Sequence, residues 1–277
     1  MNNQISITLL GTGCPTLHSE RFGPATLVKD SSTKLIFDTG SGITQRLTQA
    51  QEKVADIDAV FITHMHSDHI VDLYQFFISG WHQGRDFPLL VYGPPGIDSF
   101  VDQTQSMWKK EQDLRKSWEK RNNNNGLSWD VRILKETESI KIGKLEVSAF
   151  LVDHYPIEPA FGYKITNDEK KIIISGDTGP SENLIINSKN SDLLIHELFT
   201  ETNVHSDNKG SDYEKTPSSY HTTPSQVGIV ANKSNTKHLL LTHFVPPEFN
   251  QEEAMKTIRE NYKGEVTFSN DLYNIVI

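Results

Sequence analysis

Residues 63–72 read THMHSDHIVD and follow directly on the apolar run DAVFI, residues 58–62. Three histidines and two aspartates fall within ten positions, all of them ligand-type side chains. The run before them reads as a buried strand, and the apolar spacing of IVDLYQFFISGW after them reads as a helix. In an extended segment just past a strand, His64 and His66 are two apart and point to the same side, so they can share one ion. Asp68 and His69 follow Ser67, where the chain turns into the helix beginning near Ile70, and that turn aims them at a second point nearby. One loop can thus serve two metals. The competing reading, a solvated loop in which Asp68 only caps the helix, leaves the histidines without a task.

Outward from this loop, short apolar runs recur between Gly, Asp and Pro punctuation: ISITLL, KLIFD, LLVYG, LEVSAFLV, KIIISGD, DLLIHE, HLLLTH and the terminal YNIVI. They read as strands, interleaved with the helical segments GITQRLTQAQ, Ser99 to Lys120, TTPSQVGIVANKS and QEEAMKTIREN. The pattern is mixed α/β. A histidine or aspartate sits just past the last apolar residue of several strands, at Asp38, His64, His154, Asp177 and His243, where a rigid scaffold presents functional side chains. No repeat and no linker divides the chain, so residues 1–277 are expected to form one domain. Residues 98–130, carrying Met107, Trp108, Leu114 and Trp118, are expected to be a helical surface insertion, and the polar stretch from Glu201 to Ser219 a mobile loop.

The chain has 277 residues, 36% of them hydrophobic, a formal net charge of −9 and a pI near 5.6. That acidic balance disfavours nucleic acid as a partner, because a polyanion binder usually carries a basic field. The N-terminus shows neither a secretory signal nor a membrane span, and a cytoplasmic location is expected. The single cysteine, Cys14, cannot form an internal disulfide, so metal chemistry must rest on His, Asp and Glu.

HMHSDH resembles the HxHxDH signature of the metallo-β-lactamase fold superfamily. The other family motifs stand in order as FDTG with Asp38, VDHYP with His154, SGDT with Asp177 and LTHF with His243. The resemblance spans nearly the whole chain and implies a four-layer αββα sandwich with metals at one edge of the two sheets. It assigns His64, His66 and His154 to a first zinc, Asp68, His69 and His243 to a second, and Asp177 to a bridge between them. It also makes Asp38 a brace for the metal loop. Imidazole and carboxylate donors suit Zn2+, and manganese or iron fit the same set. Two ions a few ångströms apart give a metal-bound hydroxide near neutral pH, which is hydrolytic machinery.

GTGCP, FGYKI, DLLIHE and YHTTPSQVGIVAN resemble the ribonuclease Z-like branch. There a histidine at the His221 position contacts a phosphoester oxygen or the leaving group, and Asp68 takes part in proton handling, so Asp68 and His221 are the candidate catalytic residues. His221 could instead cap the following helix, and Glu197 could orient it or be an ordinary strand-end glutamate. Members that process tRNA carry a Gly/Pro-containing arm between the His154 and Asp177 motifs, and FGYKITNDEKKIIISGDT has no room for one. GPATLV, FDTGSGITQRL, SGWHQGR and VYGPPG are similar to the arylsulfatase-like subgroup. The expectation is therefore a two-zinc hydrolase of a small anionic ester, aryl sulfate or phosphodiester. A ribonuclease Z-type tRNA 3′ endonuclease and a lactonase or β-lactamase are the alternatives. Relatives in this branch are often dimers, which leaves a homodimer open.

Overall fold

The computed structural model describes residues 4–121, 123–200 and 220–277; the stretch from Glu201 to Ser219 lies outside them, as does His205. Among the described residues, two seven-stranded sheets pack face to face. The first takes β1 (Ser6–Gly11), β2 (Ala25–Lys29), β3 (Lys34–Phe37), β4 (Ala59–Phe61), β5 (Leu89–Gly93) and β6 (Trp129–Ile133) in sequence order, with β14 (Tyr273–Val276) returning to pair with β1. The second orders β7 (Ser139–Ile142), β8 (Leu145–Val152), β9 (Ala160–Thr166), β10 (Lys171–Ile174), β11 (Leu193–Phe199), β12 (His238–Val245) and β13 (Glu265–Phe268).

Alternating side chains drive the packing. Ile7, Leu9, Leu35 and Phe37 from one sheet meet Val147, Tyr163, Ile165 and Ile195 from the other in a shared core. The opposite faces are covered by helices. α1 (Ile43–Gln49), the single turn α2 (Ser67–Ile70), α3 (Leu73–His82) and α4 (Ile97–Glu119) lie along the first sheet, and their apolar faces meet Ile36, Val60 and Val91. α5 (Glu182–Asn187), α6 (Pro224–Ser234) and α7 (Gln251–Asn261) are associated with the second sheet, where Leu184, Val227 and Ile258 meet Leu194 and Leu239. The result is the expected four-layer αββα sandwich. A strand covered on both faces should be apolar throughout, and every residue of β11 is buried.

Each sheet begins as an antiparallel meander and turns parallel at its fourth pairing: β3 with β4 in the first, β10 with β11 in the second. The parallel pairings require helical crossovers. α4 is one of these, joining β5 to its parallel neighbour β6. Residues 98–130 are thus a connection between paired strands and not a pure insertion, and Trp129 and Asp130 already belong to β6. The first half of α4 packs through Ile97, Val101 and Thr104. Trp108 stacks on Tyr74 at 4.9 Å, whereas Trp118 is 89% exposed. Among the described residues no helix is long and apolar enough to cross a membrane.

Candidate metal centre

Parallel strands deliver their C-terminal ends to one edge of the sandwich, and functional side chains collect there. His64 and His66 follow β4. His154 follows β8, Asp177 follows β10, and Glu197 and His243 lie in β11 and β12. His243 is brought in by an irregularity: the β11–β12 register pairs Glu197 with Thr242 and Leu198 with Phe244, skipping His243. The skipped residue has φ of 44°, a left-handed conformation that costs a histidine energy and re-aims its side chain. Two glycines permit the close approach of loops. A side chain on Gly40 would meet the Asp68 carbonyl at 2.7 Å, and one on Gly176, at φ 61°, would meet the Phe161 carbonyl at 2.7 Å.

The structure gathers the seven candidate ligands into two adjoining groups. One holds His64, His66, His154 and Asp177, the other Asp68, His69 and His243. His66 Nδ1 lies 2.9 Å from His64 Nε2 and 3.1 Å from His154 Nε2. His243 Nε2 lies 3.3 Å from His69 Nε2 and 3.4 Å from Asp68 Oδ2. Donor atoms around a tetrahedral zinc at about 2.1 Å stand about 3.4 Å apart, so each group converges as a coordination shell does. Asp177 Oδ2 lies between them, 3.4 Å from His69 Nε2, 3.3 Å from His243 Nε2 and 3.8 Å from His64 Nε2. Its Oδ1 is buried with no hydrogen-bond partner among the described residues. A buried carboxylate oxygen left so is costly unless a cation meets it, and the residues present therefore fit divalent metal.

The remote ring nitrogens of His64, His69 and His154 are anchored, which fixes the orientation of their ligand atoms, whereas His243 Nδ1 is buried with no hydrogen-bond partner among the described residues. His64 Nδ1–H donates to Thr63 Oγ1 at 3.0 Å, and His69 Nδ1–H donates to Asp38 Oδ2 at 2.8 Å. Asp38 also accepts the Thr63 amide and hydroxyl, at 2.8 and 2.9 Å. It holds this position at φ 62°, strain kept in place by the three hydrogen bonds. Asp38→Asn should weaken metal binding about 10- to 100-fold; titration against a chelator checks this, and unchanged affinity would show the brace to be dispensable.

Burial, followed by the neighbouring imidazoles, pulls His64 well below its ordinary pKa, and burial brings His154 down to about 4. Both are neutral at pH 7 and offer lone pairs. Burial opposes protonation of His69 as well, yet Asp177, Asp38 and Asp68 hold it well above the usual range. A site that draws protons onto a ligand in this way is one whose carboxylates call for positive charge. His66 and Asp68 are only half-buried, so the centre opens on their side.

His221 stands beside both groups, its ring 5.2 Å from that of His154 and 6.0 Å from that of His243, and supplies a ligand atom to neither. Thr223, with Gln226 and Pro224, caps α6, so His221 is not the cap. Its Nδ1–H donates to Glu197 Oε2 at 2.7 Å, and Glu197 Oε1 accepts the Thr178 amide at 2.6 Å. Glu197, left open between two readings by the sequence, therefore ties His221 to the Asp177 loop. Thr178 strengthens this link: its hydroxyl accepts the Asp153 amide at 3.1 Å, and its carbonyl accepts the Thr222 hydroxyl at 2.5 Å. Nothing in the sequence marked Thr178 beyond its place in SGDT.

Burial alone would lower the His221 pKa, but the Glu197 carboxylate overrides it and raises the imidazole to about 9. In the metal-free protein the pair stabilises the fold fully below the unfolded histidine value of about 6.5, and that stabilisation is lost as pH rises towards 9. NMR titration should find His221 protonated at pH 7.5, and Glu197→Gln should make it neutral there. Identical titration in both proteins would rule out the ion pair.

His18 approaches Glu248 at 3.3 Å. His196 is fully buried, its Nδ1 against the Glu197 carbonyl, and His238 is buried against Thr267. None belongs to either metal group.

Residues 5–221 match the family model described as Anti-Pycsar protein Apyc1. The chain belongs to the Apyc1 family. Its relatives connect that family to the ribonuclease Z-like branch of the metallo-β-lactamase fold. A ribonuclease Z of Mycobacterium bovis is 27% identical over 288 residues, covering 99% of this chain and 98% of that protein. The metallo-β-lactamase fold protein YhfI from Bacillus subtilis superposes with a TM-score of 0.78 at 18% identity, covering 99% of this chain and all of that one. Human tRNase Z, short form, superposes with a TM-score of 0.74 at 23% identity, covering 98% of each chain. This Apyc1-family chain is a metal-dependent hydrolase of ester bonds.

Proposed function

We propose that the chain is a two-metal phosphodiesterase acting on a nucleotide phosphodiester. The observation that carries this is the His221–Glu197 pair at 2.7 Å beside the double ligand group. A lactam or lactone hydrolase needs little from a protonated imidazole held by a buried carboxylate, whereas a phosphodiester expels a poor alkoxide that must receive a proton. His64, His66 and His154 would hold one divalent cation and Asp68, His69 and His243 the other, with Asp177 between; zinc suits these donors. When bound, such a pair supplies an activated water and neutralises phosphate charge.

The chain's own residues do the rest. His221 presents Nε2 to the leaving oxygen and gives up its proton, while Glu197 keeps Nδ1–H in place and stabilises the charged ring. Asp68 is raised by burial but brought below the usual carboxylate range by His69 and His243, so it is ionised and available to accept a proton. Burial of Asp177, His64 and His154 excludes bulk water from the floor of the site.

Phosphodiester is preferred to the aryl sulfate that the sequence left equally open, because full-length relatives are ribonuclease Z proteins. They support RNA as the substrate, against the expectation drawn from charge. A second reading, a small nucleotide phosphodiester, is supported by the hairpin between β9 and β10. Only residues 167–170 connect these strands, capped by Asn167 Oδ1, with no arm between His154 and Asp177. Metal-loaded protein incubated with precursor tRNA, linear dinucleotides and cyclic nucleotides separates the two. Cleavage after the discriminator base supports the RNA reading, turnover of the small esters alone supports the second, and cleavage of none rejects the phosphodiesterase.

A further inference from the structure

We infer that Tyr220 is the specificity-determining residue against which a planar nucleobase or aryl group of the substrate stacks. This rests on the phosphodiesterase reading above. Tyr220 directly precedes His221, and its backbone carbonyl accepts the Nδ1–H of His154 at 2.9 Å, so its place is tied to a metal group on one side and the proton donor on the other. Its ring centroid lies 5.3 Å from that of His154, edge-on at 78°, and 4.7 Å from that of His221. Among the described residues it is the one Phe, Tyr or Trp whose ring meets both imidazoles. Phe199 also faces His221, at 6.1 Å, but it is buried and supports the ring from within. Tyr220 is only half-buried, so the residue is not sealed in the core.

A phosphoryl group held by the ligand shells, with its leaving oxygen at His221, places its organic part beside the surface that flanks His154 and His221. The Tyr220 ring lies on that surface. Every nucleobase has a π-face and stacks on an aromatic side chain with little regard to sequence. A ribose phosphate lacking the base forgoes that contact.

The test uses metal-quantified wild-type protein, Tyr220→Ala, Tyr220→Phe and Tyr220→Trp, with bis(p-nitrophenyl) phosphate as substrate and AMP or ribose 5-phosphate as competitive inhibitor. Wild type should bind AMP about 10- to 100-fold more tightly than ribose phosphate. Tyr220→Ala should bring that ratio close to one and raise KM for the aryl ester with little change in kcat, whereas Phe and Trp should preserve it. A ratio that survives in Tyr220→Ala overturns the inference. So does a fall in kcat and metal content at unchanged ratio, since Tyr220 would then serve only to prop His154. If metal-loaded wild type does not hydrolyse the ester at all, the phosphodiesterase reading fails, and the inference falls with it.

Discussion

Replacing His221 by alanine is expected to lower kcat on a phosphodiester by about 10²- to 10⁴-fold while bound metal stays at the wild-type level. The separation of the two effects follows from geometry. His221 contributes no atom to either ligand group, and its side-chain hydrogen bond runs to Glu197 and, through it, to Thr178. The substitution removes a proton donor and a positive charge from the site but leaves the ligand atoms and their anchors in place. The loss should also depend on the leaving group, being smaller for p-nitrophenoxide, which departs without protonation, than for an alkoxide. Kinetics on both ester types, with metal quantified on the same samples, checks this. A parallel fall in metal and activity would show that His221 acts through the ligand shells and not on the substrate.

Asp177→Asn should produce the second large effect, of the opposite kind. Asp177 Oδ2 lies 3.3 to 4.0 Å from ligand nitrogens of His243, His69, His64 and His154. It is 3% exposed, so the charge it brings is scarcely screened. An amide of the same shape removes that charge from both groups at once. Metal content should fall well below wild type, and turnover by about 10³-fold or more, because activation of water would depend on both cations of the proposed pair. Elemental analysis after dialysis checks the first part and steady-state kinetics the second. Full metal retention with wild-type turnover would contradict a bridging carboxylate.

The contrast between His221 and Asp177 also explains what could be read from the sequence. HMHSDH is legible because four ligands lie within six residues, where strand and turn geometry fix their directions. Asp38, His154 and Asp177 are legible as polar residues just past apolar strands. Three features were not. The register skip that delivers His243 depends on pairing between β11 and β12, which no local pattern encodes. Glu197 sits in a strand buried along its whole length, and only the approach of His221, 24 residues later, distinguishes it from a strand-end glutamate. Thr178 reaches Glu197 and Thr222 through its amide and carbonyl, groups that every residue possesses.

The fold divides in the same way. The apolar central strands announce themselves, whereas β7 and β13 are edge strands with exposed positions in short stretches, and β9 carries Gly162 in its middle. The matching of the two sheets, each an antiparallel meander passing into parallel strands, leaves no repeat in the residues, since many apolar side chains satisfy the same pleat. The segment 98–130 looked separable because its outer face carries Met107, Leu114 and Trp118 in the open, and the crossover it makes is visible only from the pairing of β5 with β6.

The function proposed for this edge of the sandwich is phosphodiester hydrolysis with two metals and His221. Its most direct measurement is kcat/KM, on metal-quantified protein, across sulfate, phosphodiester, phosphomonoester, carboxylic ester and lactone substrates, with His221→Ala run alongside. The phosphodiester should rank first, and His221→Ala should suppress its hydrolysis without loss of metal. A sulfate, carboxylic ester or lactone ranking first, or a phosphodiester rate indifferent to His221, would contradict the proposed function.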